Sequence, residues 1–225
     1  MLKKLFCFLF IFTFSYAMAQ EILTADDFLE QASAKYGTIE DYEAGISILQ
    51  GETEMSGTIY YKNPHLIRID FTQPPGQILT VDGENLLIYL PQHAVTLEQR
   101  LPRKSSAAIA SMARQQGLIY LINNYTVSYA VGPDKIPLDE NHEDELVVKL
   151  RFIWRHSAEG YKELEISFDS NHLIRRIKGI TVQNVLVQFD FENIRLNQNL
   201  PDQLFNEESP ATAYVYKNFL FEEDN

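Results

Sequence analysis

Apolar residues occupy every second position in one segment after another of this chain from Tyr42 onwards. In the segment 66–71, Ile67, Ile69 and Phe71 share one face, and the polar residues between them face the other way. A period of two in segments rich in Val, Ile, Tyr and Phe predicts β-strands that are buried on one face. The chain is therefore predicted to form an antiparallel meander with one apolar face.

Turn residues at short intervals divide these segments into individual strands. The pair Asp82-Gly83, for example, predicts a hairpin turn. We predict strands at 57–62, 66–71, 77–81, 86–89, 95–97, 125–130, 146–154, 161–169, 173–181 and 185–195. A sheet of this many strands has to curl. The aromatic segment 211–225 forms a C-terminal extension, in which we expect a terminal strand.

Helical patterns occur at two places. Thr24 followed by Asp27 predicts a capped helix N-terminus, and apolar residues then recur at helical spacing until Gly37. The segment 105–114 favours helix by propensity, with Gly117 as its C-terminal cap and a second helical piece at 118–123 after it. Helices on the concave side would plug the opening of a curled sheet. The predicted fold class is α+β, mainly β: an incomplete antiparallel β-barrel with an N-terminal helix and a helical lid or plug.

The segment 1–19 carries two lysines, an apolar run at 5–14 and small residues that end at Ala19. This order is typical of a secretory signal peptide cleaved after Ala19, with an uncleaved N-terminal anchor as the alternative. The only cysteine, Cys7, lies within the apolar run, so we expect a mature chain without disulfides and without a lipid anchor. The prediction is an exported, soluble periplasmic protein whose single domain spans residues 20–225.

The composition is acidic, with 31 Asp and Glu against 19 Lys and Arg, which gives a formal net charge of −12. Removal of a leader that contains Lys3 and Lys4 would lower this charge to −14. Phosphate backbones bind clusters of Lys and Arg, so nucleic acid is not an expected partner. Anionic membrane surfaces should also repel such a chain.

Sequence motifs of catalysis and metal binding do not occur in the chain. The five histidines lack HExxH-type spacing, and the signatures GxSxG, GxxxxGK(S/T) and GxGxxG are missing. The acidic run 139–145 lacks the glycine and the ligand spacing of an EF-hand, so we expect a solvated hairpin loop there. We predict that the protein is not an enzyme and uses no cofactor or metal, although a triad of distant residues stays open.

The apolar face of the predicted sheet is the candidate binding surface. Large side chains on a concave face either fill one another's space or line a cavity, and the pattern leaves both open. On the predicted insertion, Ile109 and Met112 form a stripe whose flexible thioether suits varied apolar ligands, and core packing explains it equally well. The predicted lining residues are Ile59, Tyr61, Ile67, Ile69, Phe71, Leu79, Leu87 and Tyr89.

Several short motifs follow one another in a fixed order. They are Gly57-Thr58-Ile59-Tyr60-Tyr61-Lys62-Asn63-Pro64-His65-Leu66-Ile67-Arg68, Phe71-Thr72-Gln73-Pro74, Ile78-Leu79, Asp82-Gly83 with Leu86, Tyr89 and Pro91, and Leu200-Pro201 with Leu204, Phe205 and Pro210. In this combination the chain resembles the LolA family, whose members are periplasmic lipoprotein carriers. The resemblance covers residues 21–210.

The resemblance implies an incomplete barrel that is covered by helices and holds the acyl chains of lipoproteins. The implied partners are acylated lipoproteins, an inner-membrane lipoprotein-releasing ABC transporter and an outer-membrane acceptor, and the carrier itself is expected to be a monomer. Burial of one CH₂ group contributes about 0.8 kcal/mol, so an apolar cavity can hold an acyl chain without any cofactor. The implied function is transfer of lipoproteins from the inner to the outer membrane.

The resemblance also implies a lid that closes over the empty cavity, held by an arginine just before a strand-end proline. This chain has Asn63 at that position, which is neutral and shorter than arginine. We hypothesise a looser lid in which Arg114 substitutes for the missing cation. The implied lid residues are Asn63, Ile109, Met112 and Arg114.

Two other functions accompany the same fold. One is a module of envelope-stress signalling, whose members resemble this fold with an added second domain, for which we expect no room here. The other is the outer-membrane acceptor LolB, which is lipid-anchored, whereas Cys7 cannot serve as an anchor because it lies in mid-leader.

Overall fold

A computed structural model describes residues 23–101, 113–156, 160–207 and 209–219. Within these ranges there are two α-helices, α1 (Ala25–Gly37) and α2 (Gln115–Asn124). The strands are β1 (Asp41–Gln50), β2 (Thr53–Lys62), β3 (Leu66–Gln73), β4 (Ile78–Val81), β5 (Asn85–Leu90), β6 (Val95–Arg100), β7 (Tyr125–Tyr129), β8 (Ile136–Pro137), β9 (Leu146–Trp154), β10 (Tyr161–Phe168), β11 (Ile174–Thr181), β12 (Leu186–Leu196) and β13 (Tyr214–Lys217). Short 3-10 turns lie at Pro91–His93 and Asp202–Phe205.

The strands form one sheet in the order β13-β6-β5-β4-β3-β2-β1-β12-β11-β10-β9-β7, with β8 paired to β9. Neighbours run antiparallel except β13, which pairs with β6 in parallel. In this order β7 and β13 lie at opposite ends and do not pair with each other, so the curled sheet stays unclosed. The predicted α+β fold with an incomplete antiparallel sheet is confirmed, and the parallel strand at its edge was not predicted.

Helix α1 begins and ends where the sequence indicates. The hydroxyl of Thr24 accepts a hydrogen bond from the backbone N–H of Asp27 at 3.1 Å, and the Asp27 carboxylate accepts one from the N–H of Thr24 at 3.3 Å. At Gly37 an added Cβ atom would lie 2.5 Å from the Gln115 side chain, so the end of α1 packs closely against the start of α2. The predicted helix start and end are confirmed.

The second helical piece predicted at 118–123 is confirmed within α2, but the predicted cap before it is not. Arg114 has an extended backbone, α2 begins at Gln115, and Gly117 lies buried in its first turn. The prediction of Gly117 as a C-terminal cap is therefore wrong. Leu118 and Leu121 are fully buried, and such tertiary packing outweighs local propensity in deciding where a short helix starts. The predicted signal peptide, most of the predicted helix 105–114, Ile109 and Met112 lie outside the described residues.

The apolar face of the sheet carries both helices and is called the concave face below; the opposite face is the convex face. Strands β7, β9, β10, β11 and β12 contribute the most deeply buried side chains of the concave face, which form one cluster with α1 and α2. Fully buried members are Leu29, Leu118, Leu121, Leu150, Phe152, Leu164, Ile166, Phe168, Ile174 and Ile177. This half of the molecule is closed core.

The convex face is polar and is covered by two segments of the chain. Over β11 and β12, Arg176 donates to Asp139 at 2.6 Å and also pairs with Asp190, while Arg175 binds Glu145. The middle of the loop 139–145 is exposed as predicted, but its two ends are held by these ion pairs. The run of acidic residues therefore anchors a hairpin loop to the sheet.

The second covering segment crosses the convex face of β2 and β3. Lys62 donates to the backbone oxygen of Leu200 at 2.7 Å, and Arg68 donates to the backbone oxygen of Leu204 at 3.1 Å and to Glu207 at 2.9 Å. This segment carries Leu200-Pro201 and Leu204, which belong to the last motif of the family resemblance. Its place on the convex face leaves the concave face to the helices.

One glycine is required by the close approach of β2 and β3. A Cβ atom on Gly57 would lie 2.2 Å from the backbone oxygen of Asp70, which cannot move away without breaking the strand pair. We expect Gly57→Ala to lower the free energy of unfolding by about 1–3 kcal/mol, the usual cost of overpacking. Gly45→Ala in β1 is the control, because its nearest atoms lie at 3.6 Å. Equal urea midpoints for the two variants would contradict this assignment.

The ion pair of Asp139 predicts a pH-dependent stability. Hydrogen bonds from Arg176 and His142 hold the pKa of Asp139 well below its usual range. A carboxyl with a depressed pKa stabilises the fold above its unfolded pKa of about 3.9, and this contribution fades as pH falls further. Asp139→Asn should therefore lower the urea midpoint at pH 7, and its difference from wild type should shrink progressively below about pH 4. A difference that stays constant from pH 7 to pH 3 would contradict the prediction.

Candidate ligand-binding site

The strand register aligns two rows of side chains across the concave face of β1 to β6, and all of them are apolar except Gln99. Pairing is direct at each step, and directly paired residues of neighbouring strands share a face. The first row is Tyr42, Tyr61, Ile67, Val81, Leu86 and Gln99, and the second is Ala44, Ile59, Ile69, Leu79, Ile88 and Leu97. These rows form a continuous floor on the side of the sheet that carries the helices, and they are called the concave floor below.

The aliphatic side chains of the concave floor become less buried from its centre to its edge, whereas the polar Gln99 at the end of the first row is 2% exposed. On β2 and β3, Ile59, Tyr61, Ile67, Ile69 and Phe71 are between 0% and 5% exposed and belong to the core cluster. These five predicted lining residues pack against other side chains of the protein. On β4 to β6 the floor opens, because its aliphatic residues there are only half-buried: Leu79, Val81, Leu86, Ile88 and Leu97.

Two predicted lining residues face the wrong way for this floor. Leu87 pairs with Thr80 and Glu98, and Tyr89 pairs with Ile78 and Thr96, so both lie on the convex face. The prediction that they continue the face of Ile69 is wrong, and Leu86 and Ile88 take their places. The sequence pattern could not reveal this, because every residue from 86 to 90 is apolar and no alternation marks the phase.

The turn before β5 sets this phase. The Asp82 carboxylate accepts hydrogen bonds from the backbone N–H groups of Glu84 and Asn85 at 2.9 and 2.7 Å, which places Leu86 opposite Val81. Partial burial acts to raise the pKa of Asp82, but the hydrogen bonds from Asn85 and Glu84 outweigh it and the pKa is lowered. The carboxylate therefore holds the turn in its charged form at neutral pH.

Arg114 and the Asn63-Pro64 turn meet at one end of the concave floor. The guanidinium of Arg114 donates to the backbone oxygen of Pro64 over a long hydrogen bond of 3.4 Å. Next to it, the ring centroids of Tyr42 and Tyr61 lie 5.2 Å apart. Burial raises the pKa of both phenols, and the positive charge of Arg114 offsets only part of this increase. The structure thus brings Arg114 to the turn that contains Asn63, through the backbone of Pro64.

A polar cleft of about 820 Å³ lies at the outer edge of the concave floor, where Leu86 and Gln99 are among its lining residues. It opens where the edge of β4 to β6 meets the covering segment at Phe205 and Glu207 and the end of β13 at Lys217. Charged groups line it from several sides, including Glu84, Glu98 and Arg100 among others. Burying an acyl chain against these charged groups is unfavourable, so this cleft does not suit an apolar ligand.

In residues 23–101, 113–156, 160–207 and 209–219, no three His, Cys, Asp or Glu side chains form a group that could hold a metal ion. None of the helices in those ranges combines the length and the apolar composition of a membrane span.

The fold and the floor together define a class of α+β protein: an open, curled antiparallel sheet with helices on an apolar concave face. The family model described as "Outer membrane lipoprotein carrier protein LolA" matches residues 48–208. The chain belongs to the LolA family, which confirms the resemblance. No curated protein sequence matches the chain.

Several solved structures of low sequence identity are similar to this chain, two of them with TM-scores of 0.50 or more. An uncharacterized conserved protein from Thermus thermophilus is 13% identical with a TM-score of 0.55, over 86% of this chain and 98% of that one. The complex of MucA and MucB from Pseudomonas aeruginosa is 12% identical with a TM-score of 0.50, over 82% of this chain and 61% of the matched chain. The LolA superfamily protein NE2245 from Nitrosomonas europaea is 13% identical with a TM-score of 0.43, over 82% of this chain and 98% of that one. At such identities these likenesses concern the fold alone.

Proposed function

We propose that this protein is a periplasmic carrier that binds the acyl chains of lipoproteins on its concave floor and transfers them from the inner to the outer membrane. The observation that carries this proposal is the open part of the floor. Five aliphatic side chains lie there half-buried in two continuous rows beside a closed core. Each CH₂ group of a ligand buried on them would contribute about 0.8 kcal/mol.

The ligand contacts follow from the burial gradient. Leu79, Val81, Leu86 and Ile88 are the half-buried residues that an acyl chain would cover first. Of the residues predicted from the sequence, Ile59, Tyr61, Ile67, Ile69 and Phe71 form the packed continuation of the same floor, and we assign them to the inner end of the site. Leu87 and Tyr89 are left out because they face the other side.

The latch of this carrier is assigned to Arg114 and Pro64. In the family pattern the arginine belongs to the strand and bonds to the lid. Here the cation precedes α2 and the acceptor is the backbone of the β2–β3 turn, so donor and acceptor have exchanged sides. Ile109 and Met112, which belong to the proposed lid, lie outside the described residues. After the ligand is released, the hydrogen bond between Arg114 and Pro64 would form again.

The cellular part of the proposal rests on the family membership and the leader-like N-terminus. We assign the protein to the periplasm as a soluble, exported monomer without enzymatic activity. Its partners would be acylated lipoproteins, the inner-membrane lipoprotein-releasing ABC transporter that supplies them and the outer-membrane acceptor that receives them. The family description, a carrier protein for outer-membrane lipoproteins, supports this assignment.

Neighbouring residues of β5 provide the direct test of the floor. Ile88→Asn places an amide on the concave floor, whereas Leu87→Asn places the same group on the convex face. We expect the first variant to weaken binding of a fluorescent fatty acid about tenfold, because a buried amide without a partner costs about 1–3 kcal/mol, and the second to leave binding unchanged. Fluorescence titration measures both affinities, and urea unfolding checks that both variants fold.

The outcomes of this test are distinct. A wild-type protein that binds no acyl probe would overturn the carrier function. Weaker binding by Leu87→Asn than by Ile88→Asn would place the ligand on the opposite face of the sheet.

The latch predicts an effect on ligand uptake. Arg114→Ala removes the donor to Pro64 and should raise the association rate of the fatty-acid probe about two- to fivefold, the range expected for loss of one hydrogen bond. Arg155→Ala is the matched control, because Arg155 is an exposed arginine at the other end of α2 that donates to the backbone oxygen of Asn123 at 3.2 Å. Stopped-flow fluorescence measures the rates. Equal association rates for the two variants would contradict the assignment of Arg114 and Pro64 as the latch.

The alternative functions are separated by mass spectrometry of the protein purified from its native envelope. The fold is also that of MucB, which is found in complex with MucA, so a signalling module that binds a partner protein is the second candidate. A carrier should retain acylated lipoprotein. Recovery of only a non-acylated partner would favour the signalling module, and a covalently acylated chain would favour a LolB-like acceptor.

A further inference from the structure

Strand β13 adds an edge to the sheet beyond the segment that matches the family model, which ends at residue 208. Its backbone is fixed at both ends: the N–H of Tyr214 donates to Ala94 and that of Asn218 donates to Glu98, each at 2.8 Å. Just before it, the hydroxyl of Ser209 bonds to the buried Thr96 at 2.7 Å. The strand is therefore an integral part of the sheet.

The parallel register decides which way its side chains face. Tyr214 pairs with Val95 and Tyr216 with Leu97, so both tyrosines lie on the concave face. Tyr216 thereby continues the second row of the concave floor by one more strand. Val215 pairs with Thr96 and lies on the convex face.

These two tyrosines differ from the others on the floor by their exposure. Tyr214 is 74% and Tyr216 58% exposed, whereas Tyr42 and Tyr61 at the centre are 4% and 3% exposed. A tyrosine combines an apolar ring with a polar hydroxyl, and it is favoured where a site is apolar at one end and wet at the other. The floor passes from buried aliphatic groups to half-buried ones and ends on this aromatic pair.

The gradient orients an acylated ligand. The polar end of such a ligand cannot be buried without hydrogen-bond partners, so it belongs at the wet margin, with the tails directed towards β3. An extra strand also widens the floor by about 4.8 Å, the distance between neighbouring strands. Additional width favours a ligand with more than one chain.

We propose that β13 is an added wall of the ligand site, on which the Tyr214 and Tyr216 rings cover the first methylene groups and their hydroxyls bond the ester oxygens of a diacylglyceryl group. This inference rests on the proposed carrier function and assigns the place in the site where the polar end of its ligand binds. The rings and hydroxyls match the chemistry of that group, in which ester carbonyls adjoin the acyl chains.

The test compares two probes, a fluorescent diacylated lipopeptide and a fluorescent single-chain fatty acid. The double variant Tyr214→Ser/Tyr216→Ser should bind the lipopeptide about tenfold more weakly, equivalent to about 1.4 kcal/mol, and the fatty acid less than about threefold more weakly. Tyr214→Phe/Tyr216→Phe keeps the rings and should lose about half of that free energy. Val215→Ser, on the opposite face of the same strand and 43% exposed, should bind both probes like wild type.

Each other outcome decides against the proposal. Unchanged lipopeptide affinity in the double variant, with wild type binding normally, overturns the role of β13 and leaves the carrier function standing. Absence of binding by wild type overturns the carrier function itself. An equal loss with both probes contradicts the diacylglyceryl assignment. A variant that converts a dimer to a monomer in gel filtration, at unchanged affinity, would make β13 a contact between copies of the chain.

Discussion

The pairing of β1 with both β2 and β12 is the interaction on which the rest of the structure depends. It joins the closed half of the sheet, under the helices, to the half that forms the open floor. Because side chains alternate along a strand, its register decides that Tyr42, Ala44 and Ile46 face the helices. The carboxylate of Asp41 then holds the chain as it leaves β12, by accepting from the N–H groups of Gln198 and Leu200.

Local features could be predicted from the sequence, whereas the side of the sheet on which β5 places each residue and the contacts between distant segments could not. The capping pair of α1 and the strongly alternating β3 lie within a few residues and follow from local chemistry. Which of the residues Leu86 to Leu90 lie on the concave face depends on how Asp82 closes its turn. An all-apolar segment has no alternation of polar and apolar residues from which this could be predicted. The parallel docking of β13 and the meeting of Arg114 with Pro64 join segments far apart in sequence, which periodicity cannot report.

The charges of this acidic chain are organised on the convex face. Arg68 and Arg176 are largely buried there, and each is paired with two carboxylates. A buried cation that loses its partner costs about 3–5 kcal/mol, so these carboxylates are required by the arginines they neutralise. The two covering segments thus gain their attachment from polar groups, whereas most contacts on the concave face are apolar.

In the proposed carrier function, this arrangement of polar and apolar contacts bears on how the protein releases its ligand. Complete burial of about sixteen methylene groups would contribute about 13 kcal/mol, which would make transfer to another protein very slow. A floor that is closed core on one side and only half-buried on the other gives a ligand less than this, because part of its surface stays in contact with water. The same openness requires amphipathic side chains at the margin, and the exposed tyrosines of β13 meet that requirement where aliphatic residues would not.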